Sequence, residues 1–252
     1  MLKTYFKFIF IFFIILSCSS NETEKDVVID DDTETTEEPV TTEKSVDFGK
    51  LVVETSWISE DTGDRDTFNA SEVDNEAWMD VLDNDNVLMT CLAADSHRTE
   101  LKENTGIESS LNTLKKMKYT ATLTDIPSNG VTVAQIHNRG GVNRPWIRVY
   151  IDDDKYIKIK ATETTPDESK SSYSTYVGPL YTAKNEFSIN ITTQNGVATF
   201  EIITAGITYS ESLTPSSDWD NYQNSYYLKA GVYTEGDDVE PKLEMSAFSI
   251  EY

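Results

Sequence analysis

Residues 187–203 read Phe187-Ser188-Ile189-Asn190-Ile191-Thr192-Thr193-Gln194-Asn195-Gly196-Val197-Ala198-Thr199-Phe200-Glu201-Ile202-Ile203. Apolar residues alternate on both sides of Asn195-Gly196. A period of two places alternate side chains on one face of a strand. Asn-Gly accepts the positive φ angles of a two-residue hairpin turn. This stretch therefore predicts two antiparallel strands joined by a tight turn. Working outward, comparable β-branched or alternating segments recur at 50–55, 86–92, 98–102, 119–123, 131–137, 146–151, 156–161, 226–233 and 242–250. Turn signals such as Ser128-Asn129-Gly130 separate them. One short helix is expected at 71–82, with Ser71 as N-cap and Trp78, Val81 and Leu82 on one face. About eleven short strands without βαβ alternation imply an all-β fold, a single sandwich or jelly roll. No internal repeat is visible.

The first residues are a processing signal. Lys3 and Lys7 precede an apolar run, Phe8 to Leu16. That run is too short for a bilayer span, which takes about 20 residues, and suits a signal peptide. It ends in Leu16-Ser17-Cys18-Ser19-Ser20, which resembles a bacterial lipoprotein box. The expected organisation is a signal peptide at 1–17, a lipidated Cys18 with an acidic linker at 18–45, and one domain at 46–252. The linker is rich in Glu, Asp and Thr and has no aromatic residue, so it cannot bury enough apolar surface to fold. The expected location is the outer membrane, tethered through the lipid, with the acidic run resembling a surface-export signal. The chain has two cysteines. With Cys18 lipidated, Cys91 is expected to be a buried free thiol inside an apolar run.

Net charge is −23. Such a surface repels nucleic acid phosphates, so no nucleic-acid partner is expected. It should also repel an anionic sugar chain, unless cations are gathered locally. Four of the five arginines, Arg98, Arg139, Arg144 and Arg148, lie between residues 98 and 148. Salt screens charges beyond about 8–10 Å, so a locally cationic groove can bind a polyanion on an acidic protein. His97 and His137 are the only histidines. With no H-E-x-x-H, no cysteine cluster and no glycine-rich phosphate loop, no metal and no cofactor is expected.

Three segments carry polar side chains at strand spacing. In Arg98-Thr99-Glu100-Leu101-Lys102, Arg98, Glu100 and Lys102 share one face. That face suits a solvated groove or an exposed edge strand equally well. In the run 133–139, Val133, Gln135, His137 and Arg139 alternate onto one face, and His137 taken alone reads as a structural histidine. In the run 227–235, Tyr227, Lys229, Gly231, Tyr233 and Glu235 share a face, with Gly231 leaving room for something to approach.

Together these segments resemble alginate lyases of polysaccharide lyase family 7, which carry R-[ST]-E-L-R, Q-[IV]-H and Y-x-K-A-G-x-Y-x-Q in this order. Here they stand as Arg98-Thr99-Glu100-Leu101-Lys102, Gln135-Ile136-His137 and Tyr227-Leu228-Lys229-Ala230-Gly231-Val232-Tyr233-Thr234-Glu235. Lys102 replaces the usual arginine and Glu235 the usual glutamine, the latter adding negative charge beside an anionic ligand. The resemblance implies a jelly roll of two antiparallel sheets with a concave groove. It also implies an alginate polysaccharide or oligosaccharide as partner. A monomer is expected. The implied reaction is β-elimination at 1,4-linked uronates. It removes the C5 proton beside a carboxylate and expels the C4 oxygen. The resemblance assigns neutralisation of that carboxylate to Arg98 and Gln135, with His137 contributing. An arginine fork suits this task. Tyr233 becomes the acid, and also the base when proton and leaving group lie on one side, as in mannuronate. His137 becomes the base when they lie on opposite sides, as in guluronate. A free tyrosine titrates near 10, so Arg98 or Lys229 nearby would help it ionise. Glu100, Lys102, Arg139, Arg148, Tyr227, Lys229 and Glu235 are expected to line the groove. Isoleucine in Gln135-Ile136-His137 goes with guluronate-containing blocks. Two rivals remain: a non-catalytic carbohydrate-binding module, and a glycoside hydrolase using Glu72, Asp74 and Glu76. The expected helix would put Asp74 on a different face from Glu72 and Glu76.

Overall fold

The computed structural model describes residues 45–58, 65–93, 97–139, 144–164 and 172–252. The leader, Cys18 and the acidic linker as far as residue 44 lie outside the described residues. From residue 45 onward the chain forms two antiparallel sheets. In chain order the strands are β1 (Leu51–Ile58), β2 (Arg65–Asn69), β3 (Met79–Val81), β4 (Val87–Thr90), β5 (Arg98–Glu103), β6 (Lys115–Thr124), β7 (Val131–Asn138) and β8 (Ile147–Ile151). They continue with β9 (Tyr156–Thr162), β10 (Tyr173–Leu180), β11 (Glu186–Gln194), β12 (Val197–Thr204), β13 (Ile207–Leu213), β14 (Tyr226–Thr234) and β15 (Lys242–Glu251). One sheet has the order β10-β9-β8-β7-β14-β5-β1-β2, the other β13-β12-β11-β6-β15-β4-β3. This is the expected jelly-roll sandwich.

The hairpin at 187–203 forms as the sequence dictates. Gln194 pairs with Val197 across a turn whose Asn195 and Gly196 both have positive φ, 55° and 80°. Phe187, Ile189, Ile191, Ala198, Phe200 and Ile202 are all buried. They join Leu101, Ala134, Ile136, Ile147, Val149 and Ala230 of the other sheet in one core. The Tyr119 hydroxyl donates to the Val133 carbonyl at 2.9 Å, tying β6 to β7. Truncating one of these core phenylalanines to alanine would cost about 3–5 kcal/mol.

The helix expected at 71–82 does not form. Asn69, not Ser71, caps a single 3-10 turn at Ala70–Glu72 by accepting from the Ser71 N–H. Asn75 then takes a positive φ of 57°, which no helix admits. Met79–Val81 instead pairs with β4, and Trp78 is buried with its ring stacked on Phe68 at 5.3 Å. Pairing with an adjacent strand supplied what the weak 3.6-residue pattern could not. Glu72, Asp74 and Glu76 are consequently exposed in a turn. Glu72 accepts from Asn69 and Asp74 from the Val81 N–H. They are not presented side by side on a strand, so the hydrolase reading falls for a different reason from the one expected.

Candidate active site

The outer face of the eight-stranded sheet gathers the polar residues. β14 lies between β5 and β7, so the three segments far apart in sequence become neighbours. Lys229 pairs with Lys102 on one side and Gln135 on the other; Tyr227 pairs with His137, and Tyr233 with Arg98. Gln135 pairs in turn with Arg148 of β8. The inward residues between them, Leu101, Ala134, Ile136, Leu228 and Ala230, fill the core. Core burial thus fixes which side chains face outward.

Gly231 is required by the sheet itself. Its φ is +149°, and a Cβ there would lie 2.4 Å from the Thr99 carbonyl oxygen and 2.6 Å from Glu100 Cα. The room it leaves is filled by the β5 backbone rather than by a ligand. The expected phase of β7 is also corrected. The register shifts between Thr132 and Ala134, so the run is out of step at Val133. Thr132 pairs with Tyr233 and its hydroxyl reaches Glu235 at 3.4 Å, whereas Val133 is buried.

The floor of the site is a network of ions. Lys229 Nζ lies 2.5 Å from Glu100 and 3.1 Å from Glu54, and both Lys229 and Glu100 are only 1% exposed. Glu54, on β1, also accepts from Lys102 at 3.1 Å and Arg98 at 3.3 Å. Burial alone would raise the Glu54 carboxyl, but Lys229, Lys102 and Arg98 outweigh it and hold the group well below the usual carboxylate range. Gln135 Nε2 donates to the other oxygen of Glu100, which fixes the amide orientation. Glu54 was missed in the sequence. Its only signal was a lone charge in the apolar run Leu51-Val52-Val53-Glu54.

His137 stacks on Tyr227 with ring centroids 5.1 Å apart. Burial, then the positive charge of Lys229, pushes its pKa from 6.5 down to about 3. The ring is therefore neutral at ordinary pH. Nδ1 lies 3.0 Å from the Asn138 carbonyl and 2.8 Å from the Asn138 N–H. A neutral ring can use only one of these. Donation from Nδ1 to the carbonyl leaves the Nε2 lone pair free as a base; acceptance from the N–H makes Nε2 a donor. Burial also holds Tyr227 well above the ordinary phenol range, so it stays protonated.

Two guanidiniums approach the Tyr233 ring, Arg98 at 4.8 Å and Arg148 at 5.4 Å. Lys229, expected to share this role, is instead bound to Glu54 and Glu100. Arg148 is 2.5 Å from Glu235. The negative charge that Glu235 brings is thus paired with a cation, not presented alone. Arg139 is turned to structural work: it pairs with Glu108, donates to the Glu103 carbonyl, and lies 4.2 Å over the Tyr227 ring. His97, out of phase with Arg98, contributes its carbonyl to the Thr234 N–H at 2.9 Å. Cys91 is a buried free thiol, and burial pushes its pKa up to about 12, which removes it as a nucleophile. Among the described residues no cluster of three or more His, Cys, Asp or Glu could hold a metal ion.

A family model described as alginate lyase matches residues 46–251. Solved structures share the fold. Alginate lyase A1-II', a member of polysaccharide lyase family 7, aligns with TM-score 0.63 and 15% identity over 82% of this chain and 96% of its own. Alginate lyase AlyC3 aligns with TM-score 0.65 and 15% identity over 81% and 90%. The alginate lyase from Klebsiella pneumoniae aligns with TM-score 0.67 and 14% identity over 82% and 97%. AlyC3 has been solved with dimannuronate, and a variant of A1-II' with a product written GGG. No curated protein matches the chain. The family match spans nearly the whole described domain, and the chain belongs to the alginate lyase family.

Proposed function

We propose that the chain cleaves 1,4-linked uronate chains of alginate by β-elimination, leaving an unsaturated uronate end. The observation that carries this reading is the shared outer face of Arg98, Gln135, His137 and Tyr233, which three strands bring together over one ionic floor. Arg98 and the free N–H of Gln135 take the substrate carboxylate and favour the enolate-like transition state over the ground state. His137 Nε2 takes the C5 proton where proton and leaving group are on opposite sides. The C5–H electron pair forms the C4–C5 double bond, the C4–O bond breaks, and the Tyr233 hydroxyl protonates the leaving oxygen. On same-side units Tyr233 serves as both base and acid. A histidine held neutral by burial first and by Lys229 second is a weak base, and the incoming carboxylate offsets the nearby positive charge and strengthens it. The imidazolium then gives its proton up readily and returns to the neutral form.

Guluronate-containing blocks are the favoured substrate in this reading, on the strength of Ile136 between Gln135 and His137. Relatives solved with dimannuronate and with GGG make both uronates the substrates to compare. The enzyme acts as a monomer tethered to the outer membrane through Cys18. Incubation with polyguluronate, polymannuronate and mixed alginate, followed by ultraviolet absorbance of the new double bond, tests the activity. Absorbance should rise, fastest on guluronate blocks. No rise on any of the three would refute the reading.

A further inference from the structure

The site described so far spends its cations on its own acids. Six cations sit on the outer faces of β5, β8, β9 and β14: Arg98, Lys102, Arg148, Lys158, Lys160 and Lys229. Arg98, Lys102 and Lys229 meet Glu54. Arg148 meets Glu235, and Lys158 meets Asp152 and Asp154. Lys160 alone has no carboxylate within ion-pair distance among the described residues. A polyanion gains most from a cation that gives up no internal carboxylate when it binds.

Lys160 lies on the track leading out of the reaction centre. Lys229 pairs with Gln135, Gln135 with Arg148, Arg148 with Lys160, and Lys160 with Thr175 of β10. Two strand spacings, about 10 Å, separate the Gln135 and Lys160 backbones. That places Lys160 at a neighbouring unit of any chain that crosses the strands through the site. Two aromatic rings flank it. Its Nζ lies 4.2 Å from the Tyr173 ring centroid and 6.0 Å from that of Tyr150. Tyr150 is half-buried, and Tyr173 is 45% exposed. An exposed tyrosine face suits the C–H face of a pyranose ring, while the ammonium suits the carboxylate on the same sugar. Cation and flat apolar surface together match a uronate unit better than a neutral sugar or a simple anion.

We infer that Lys160, Tyr173 and Tyr150 form a secondary uronate-binding platform on β8–β10, which holds the same alginate chain beyond the unit undergoing elimination. The inference rests on the lyase reading and adds to it a length preference. The test uses the full chain and alginate oligosaccharides of graded length. In Lys160→Ala and Tyr173→Ala, kcat/KM on polymer should fall roughly 5- to 30-fold, the range of one partly solvated charge-assisted contact. The loss should shrink as the substrate shortens. Lys160→Glu should lose more, with the deficit narrowing at high salt. Lys118→Ala, an exposed lysine on the opposite sheet, gives the baseline. Calorimetry in a Tyr233→Phe background should show the same length dependence in affinity. A wild-type protein that neither cleaves nor binds alginate would overturn the lyase reading and the platform with it. A wild type that cleaves, with Lys160→Ala losing nothing or losing equally at every length, would overturn the platform alone.

Discussion

Replacing Lys229 with methionine tests whether the ionic floor is a buried, mutually dependent network. Methionine keeps most of the side-chain volume and removes the charge. Lys229 and Glu100 are each 1% exposed and lie 2.5 Å apart. Without the ammonium, Glu100 keeps the Gln135 amide as its partner, while Glu54 retains Lys102 and Arg98. The uncompensated charge is therefore that of Glu100. Removing one partner of a buried pair costs about 3–5 kcal/mol. For a domain of this size each kcal/mol shifts Tm by about 2–4 °C, so the midpoint should drop by roughly 6–20 °C. Adding Glu100→Gln to Lys229→Met removes the orphaned charge and should recover part of the loss, with a coupling energy of about 0.5–3 kcal/mol. Urea and thermal unfolding of the four proteins in the cycle measure this. A Lys229→Met protein within about 0.5 kcal/mol of wild type, or strict additivity in the double variant, would refute the argument that these charges stabilise each other.

Tyr233→Phe should reduce turnover about 10²–10⁴-fold while oligosaccharide binding persists; full activity would remove Tyr233 as the acid. In a His97→Ala background, the ring resonances of His137 should stay flat from pH 8 to pH 5, because its pKa is pushed from 6.5 to about 3. The unfolded chain then binds the extra proton, so this group leaves stability intact above about pH 6.5 and subtracts from it as pH falls toward 3. A midpoint near 6.5 would contradict the burial argument. Glu235→Gln frees Arg148 from its 2.5 Å partner and should lower KM for alginate roughly 2- to 5-fold, whereas an increase would mean that Glu235 itself contacts the sugar. Cys18→Ala should release the protein from the membrane fraction or block its maturation; unchanged membrane association would remove the lipid anchor.

The sequence by itself determined the interior of the fold. Each of the eleven strand segments expected from alternation overlaps an interior strand of one sheet or the other. The strands it did not reveal, β2, β3, β10 and β13, are the four edges of the two sheets. An edge strand is paired on one side only and tolerates polar residues, Gly and Pro, as in Tyr173–Leu180 with Gly178 and Pro179. Its alternation is correspondingly faint. The same limit explains Met79–Val81, whose pairing with β4 overrode a local pattern that suggested a helix. Side-chain alternation also placed Arg98, Gln135, His137 and Tyr233 on outward positions, since core burial dictates phase wherever the strand is regular. It went wrong at Val133, where the register shifts. What only the tertiary structure decided was partnership. The order of strands put Glu54 beneath Arg98, Lys102 and Lys229, set Arg148 against Glu235, turned Arg139 toward Glu108, and left Lys160 without an acid among the described residues. Such pairings join residues up to 175 positions apart, Glu54 to Lys229. No local period encodes them, because they arise only when separate strands close into one sheet.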